Sequence, residues 1–154
     1  MKNIRSYMKL IHNYFNDKLS QNEWNMMLKE YIANLTNIRA EFDDDTFIVL
    51  KNHELHDCRI VSFKMRIGNQ DDVKTSYVLE LENYEQTYRY ECIYEGVRFL
   101  SFNLKYDDEF EDVLIDECMK SHDMIQHKIC FVGKKIFHVK CNEIKIKKIS
   151  WSYK

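Results

Sequence analysis

The sequence predicts an α+β fold: two N-terminal helices packed on an antiparallel sheet of about six or seven strands. Two observations carry this. Apolar residues recur at three- and four-residue intervals as far as Ile38, and at every second position from Val61 onward. A third is the punctuation. There is no proline, and the only glycines are Gly68, Gly96 and Gly133, so turns fall to these and to Asn and Asp, which tolerate left-handed backbone. The 154 residues fit one domain, with a helical part over 1–45 and a sheet part over 55–154. At 45% apolar and 31% charged residues, enough apolar surface exists to offset chain entropy, which excludes wholesale disorder.

The first helix is predicted over residues 3–18 from Ile4, Tyr7, Met8, Ile11 and Phe15. Ser20 with Glu23 three positions later has the capping-box pattern, opening a second helix that buries Trp24, Met27, Leu28, Tyr31, Leu35 and Ile38. That helix should stop before the run Asp43 to Asp45, because carboxylates at a helix C-terminus oppose its macrodipole. Val61, Phe63, Met65 and Ile67 then alternate with polar residues as a strand. Tyr77, Leu79 and Leu81 mark the next, turned by Asn83 to Glu85, and Tyr88, Tyr90, Cys92 and Tyr94 share one face of a third. Such a tyrosine face either stacks bases or packs beneath a helix, and packing is the commoner use. Glu95-Gly96 is predicted as a tight turn with Val97 to Leu104 returning, an antiparallel meander. Residues 105–117 fit a helical turn as well as a strand. Residues 125–132 and 135–141 form a hairpin about Gly133-Lys134, and 143–152 a last strand.

The longest apolar runs have four residues, Phe47 to Leu50 and Ile129 to Val132, so no membrane helix is expected. The N-terminus has no signal-peptide pattern. Cys58, Cys92, Cys118, Cys130 and Cys141 are odd in number and lack a CxxC pair, which suits free thiols in a reducing compartment and a cytoplasmic location. A net charge of −2 argues against general nucleic-acid binding. The distribution is uneven. Seven acids and no base lie between Tyr106 and Glu117, whereas seven lysines against one acid, Glu143, follow from Lys134.

Three groupings resemble chemical sites. His53-Glu54-Leu55-His56-Asp57 has its histidines three apart, where the zinc-protease helix needs four, and reads as a turn with local hydrogen bonds. Cys118, His122, His127 and Cys130 are zinc-type ligands within thirteen residues; on a strand, His127 and Cys130 would face opposite sides. Cys118 with His122, or Cys58 with His56, could be drawn as nucleophile pairs, but nothing nearby supplies an oxyanion site. Three isolated glycines make no phosphate-binding loop. No metal and no cofactor is therefore expected.

Leu55-His56-Asp57-Cys58-Arg59-Ile60, leading into alternating residues, resembles a box that opens the first strand of small bacterial proteins of uncharacterised role. Glu95-Gly96-Val97-Arg98-Phe99-Leu100, Asp116-Glu117, and His127-Lys128-Ile129-Cys130-Phe131 with Gly133 are similar to later features of the same proteins. The resemblance spans about residues 55–150. Some of these proteins resemble immunity proteins of bacterial polymorphic toxin systems. Cys58 stands where Ser or Ala is usual in them, which implies a need for a small residue and not for a thiol.

The resemblance implies a non-enzymatic protein-binding domain, specifically an immunity-type toxin inhibitor. The alternatives are a metal-dependent enzyme using the His, Cys and acid positions, or a structural or regulatory module of a larger assembly. Leu55, His56 and Asp57 are expected to be structural, with the Asp57 carboxylate accepting backbone N–H bonds. Tyr106, Asp107, Asp108, Glu109, Phe110, Glu111 and Asp112 are expected to dock a basic partner, such as a toxin domain whose cationic cleft binds phosphate.

Overall fold

The computed structural model describes residues 11, 19–68, 75–102, 112–133 and 135–150. Helix α1 (Gln21–Asn37) opens with the expected capping box. The Ser20 hydroxyl accepts the Glu23 N–H at 3.2 Å, and the Glu23 carboxylate accepts the Ser20 N–H at 2.7 Å. Tyr31 and Leu35 are buried, and Trp24, Leu28 and Ile38 pack half-buried against the core. Of the helix predicted over 3–18, all but the buried Ile11 lies outside the described residues.

α1 stops six residues before Asp43, as its dipole favours. Asp43 then caps a helix that the sequence pattern does not reveal, α2 (Asp44–Lys51), by accepting the Thr46 N–H at 2.8 Å. Asp44 and Asp45 occupy its first turn and Lys51 its last, a charge order that suits the dipole at both ends. Eight residues are too few for the apolar run Phe47–Leu50 to display a helical period.

The strands among the described residues are β1 (Arg59–Arg66), β2 (Ser76–Glu82), β3 (Tyr88–Glu95), β4 (Phe99–Phe102), β5 (Val113–Ser121), β6 (Met124–Phe131), β7 (Lys135–Cys141) and β8 (Glu143–Ser150). Every pairing is antiparallel. They form two four-stranded sheets, β1-β2-β3-β8 and β4-β7-β6-β5, where the sequence predicts one. The hairpin about Gly133 is present as β6–β7, and the segment of ambiguous pattern becomes β5, with a register irregularity between Val113 and Ile115.

The predicted return at Glu95-Gly96 is the principal correction. β3 and β4 do not pair; the chain turns a corner there and passes into the second sheet. Its partner strand turns at Asn142 beside it, between β7 and β8. The Arg98 N–H donates to the Lys140 carbonyl at 2.9 Å and the Asn142 N–H to the Glu95 carbonyl at 3.0 Å, so pairing continues through the bend. Gly96 has φ +62, and a Cβ on it would collide with the Asn142 side-chain amide, so both conformation and space demand glycine.

The corner lays one sheet over the other. The Phe137 ring on β7 meets Phe63, Tyr94 and Phe102 at centroid distances of 5.9, 5.5 and 5.2 Å. Tyr94 of the β3 tyrosine face thus points between the sheets, whereas Tyr88, 39% exposed, lies under Lys148. The helices close the seam between the edge strands β8 and β5. Thr46 of α2 accepts the Ile146 N–H at 2.8 Å, and the Tyr31 hydroxyl of α1 accepts the Cys118 N–H at 3.0 Å. Beyond Tyr31 the β5 edge is met by the backbone of Asp57 and Cys58, which exchanges hydrogen bonds of 2.9 and 2.7 Å with Val113. No helix among the described residues is long and apolar enough to cross a membrane.

Candidate functional site

The cross-strand register sets Cys118 opposite His127 and Asp116 opposite Ile129, so Asp116 and His127 are diagonal neighbours on the face toward the first sheet. Asp116 Oδ2 lies 2.8 Å from His127 Nε2, and His127 Nδ1 lies 2.8 Å from the Tyr94 hydroxyl across the sheets. One tautomer satisfies all three groups: the Tyr94 hydroxyl donates to Nδ1, and Nε2–H donates to the carboxylate. Burial alone would raise the Asp116 carboxyl, but His127 and His53 outweigh it and hold the group down at about 2. Burial, with Cys92 next to it, keeps the Tyr94 hydroxyl protonated well beyond its usual range. Tyr94, Asp116 and His127 are all buried to within 1%. That sealing makes the chain of bonds a tie between sheets, with no face of His127 open to a solute.

His53, in the turn after α2, has a left-handed backbone at φ +51. Its Nδ1 is 3.8 Å from Asp116 Oδ1, its Nε2 is buried without a hydrogen-bond partner, and its ring lies 5.4 Å from that of Tyr31.

Two cavities flank this turn. The larger, about 630 Å³, is lined among the described residues by His56, Asp57, Asn83, Tyr84, Glu85 and Asp112. Three carboxylates from three separate segments meet there, and no Lys or Arg lines it among the described residues. Asn83 shapes one wall, its side-chain oxygen accepting the Thr87 and Tyr88 N–H groups at 2.9 Å each, which holds the β2–β3 turn and leaves Tyr84 73% exposed. His56 Nδ1 pairs with Asp57 Oδ2 at 3.1 Å, and the Asp112 carbonyl accepts the Val132 N–H at 2.9 Å. The smaller cavity, about 250 Å³, lies among Trp24, Leu28, His53, His56, Leu114, Ile115 and Asp116. His56 lines both.

The structure therefore joins two groups that the sequence singled out separately: the Leu55-His56-Asp57 box and Asp112, the described end of the acidic run. Tyr106, Asp107, Asp108, Glu109, Phe110 and Glu111 lie outside the described residues. Leu55 is buried, and the Asp57 carboxylate is largely exposed and meets the His56 ring. Its backbone N–H, and not its carboxylate, makes the structural bond, to Val113. Among the described residues no three His, Cys, Asp or Glu side chains gather around a metal position. Of the four zinc-type residues, His122 is exposed in the β5–β6 turn, His127 is engaged at both nitrogens, and Cys130 falls on the opposite face of β6 from His127.

All five cysteines are free and buried. Burial pushes the Cys58, Cys130 and Cys141 thiols up to about 12, and Cys92 and Cys118 beyond their usual range, the reverse of what a nucleophile needs. Sequence reasoning gave Tyr84 and Glu85 no role beyond a turn, read His53 only as part of a hydrogen-bonded turn, and missed the Tyr94–His127–Asp116 chain. The available signal was Asp116 itself, an acid on the same strand face as Cys118, where alternation calls for a core residue. The chain matches no protein-family model, no curated protein and no solved structure.

Proposed function

We propose that the protein is a non-enzymatic binding protein that takes a basic protein partner in the acidic concavity beside the β2–β3 turn. One observation carries this reading: Asp57, Glu85 and Asp112 converge from three segments on a cavity of about 630 Å³, rimmed by a tyrosine that is 73% exposed. A cationic side chain entering it meets carboxylates on several sides and an aromatic face at the mouth, which favours Arg or Lys. Asp112 is the last of the acidic stretch Asp107 to Asp112, whose net charge adds long-range attraction for a cationic partner. An immunity-type inhibitor of a bacterial toxin is the form of this function that the Leu55-His56-Asp57 box suggests.

The test is association with the product of the adjacent gene, co-expressed and purified. The double substitution Tyr84→Ala and Glu85→Lys changes exposed turn residues that support no core contact. It is expected to weaken binding by about tenfold or more at low salt, with slower association and an unchanged melting temperature. Binding that survives this variant and the variant Asp107→Lys, Asp108→Lys, Glu109→Lys, or absence of binding by the unmodified protein, overturns the reading.

A further inference from the structure

The edges of the two sheets are finished unequally. Those of β8 and β5 are met by Thr46 and Tyr31 of the helices. β1, the other terminal strand of the first sheet, makes no backbone hydrogen bond beyond those to β2 among the described residues. Such an edge is a row of N–H and C=O groups that another strand can join. β1 is eight residues long and bears the exposed Val61 and Met65, with the exposed Ile67 just past its end.

The charges on this edge have one sign. The register irregularity between Ile60 and Ser62 shifts the alternation, so Arg59 opposite Glu82, Lys64 opposite Val78 and Arg66 opposite Ser76 share the outer face of the sheet. β1 contains no acid. Lys64 reaches Glu80 at 3.6 Å, an exposed pair, and neither Arg59 nor Arg66 has an ion pair among the described residues. The inner face is apolar. Phe63 stacks on Tyr77 with ring centroids 5.7 Å apart and meets Phe102 of the second sheet at 6.0 Å, while Met65 lies opposite Tyr77. β2 answers this pattern on its side, with Glu80 and Glu82 facing outward and Tyr77, Leu79 and Leu81 facing inward.

We propose that the outer edge of β1 takes up an extended segment of another protein in which acidic and apolar residues alternate, as they do in β2. Main-chain hydrogen bonds hold the added strand, and its alternate side chains give the specificity. Its acids lie beside Lys64 and Arg66, and its apolar residues continue the layer of Phe63 and Met65 over Phe102. A second copy of this chain has the wrong chemistry. Two β1 strands side by side would set both copies of Arg59, Lys64 and Arg66 on one face with no acid in either strand, and like charges across a strand pair repel. Among the described residues none of β1 lines the acidic concavity, so the proposal is independent of the docking reading.

The experiment is fluorescence anisotropy of a labelled, end-blocked peptide of alternating Glu and Val, as long as β1, titrated with the intact protein beside its Lys and Val counterpart. Saturable binding of the Glu peptide is expected, about tenfold or more tighter than the Lys peptide at low salt and weakening as salt rises. Amide hydrogen exchange in β1 should slow in the complex. Lys64→Glu with Arg66→Glu, both at exposed positions, should reverse the preference. Lys64→Ala with Arg66→Ala should abolish it, and decides the matter if the reversed pair fails to fold. No binding of the Glu peptide, equal affinity for the two peptides, a preference unmoved by the Lys64 and Arg66 changes, or a stable dimer of the unmodified protein with β1 protected overturns the proposal.

Discussion

Asp57 shows how much of a residue's part in a fold lies in its main chain. An Asp before a strand suggests a carboxylate that accepts backbone donors, but here the carboxylate is largely exposed and pairs with His56. The part that matters is the main chain: Asp57 has φ +62, and its N–H binds the Val113 carbonyl while the carboxylate faces the acidic concavity. Backbone sign is not written in a local pattern when the residue is Asp, which occupies both regions. The two readings differ in consequence. Asp57→Ala should lower stability by ~1 kcal/mol because Ala keeps the Cβ but lacks the polar side chain that eases Asp into the left-handed region, whereas Asp57→Gly, with no Cβ, should be near neutral. Chemical denaturation of both variants checks this, and an equal loss in the two would restore the carboxylate to a structural role. The same limitation left His53 as an ordinary turn residue, because its contact depends on φ +51 and on a strand more than sixty positions away.

Elements with long periodic stripes were legible and short ones were not. α1 carries its cap and five stripe residues in its own sequence, and the β6–β7 hairpin is announced by Gly133 between alternating runs. α2, with eight residues, has no such length, and its Asp43 cap reads from the pattern only as a bar to the preceding helix. Yet α2 seals the edge of β8 through Thr46, whose hydroxyl oxygen receives the Ile146 N–H in a fully buried setting. Thr46→Val keeps the shape and strands that N–H, so it should cost ~1–3 kcal/mol. Thr46→Ser keeps the acceptor and should cost less. Equal melting of Val and Thr forms would mean that α2 protects the edge by packing alone. The candidate site followed the same rule: the Leu55-His56-Asp57 box was visible as a string, but its meeting with Tyr84 and Glu85 depends on the β2–β3 turn folding back beside it.

For the molecule as a whole the decisive position is Gly96. Sequence reading marked it as a turn and supposed a hairpin, because a glycine after a strand carries no sign of whether the next strand returns or departs into another sheet. Here two long strands bend together, at Gly96 and Asn142, and each belongs to both sheets. Gly96→Ala should therefore destabilise by ~1–3 kcal/mol through left-handed strain and the collision with Asn142. Both sheets should be lost in one transition, so far-ultraviolet and tyrosine signals should melt together; separate transitions would show that the corner does not couple them. The sealed cysteines acquire a further meaning in such a molecule. Their thiols lie in β3, β5, β6, β7 and at the threshold of β1, and none reaches solvent while the sheets stay closed. Because only a thiolate reacts, the rate at which each sulfur is alkylated becomes a clock for the opening of its own strand, and the order in which the five are labelled records how the native state breathes.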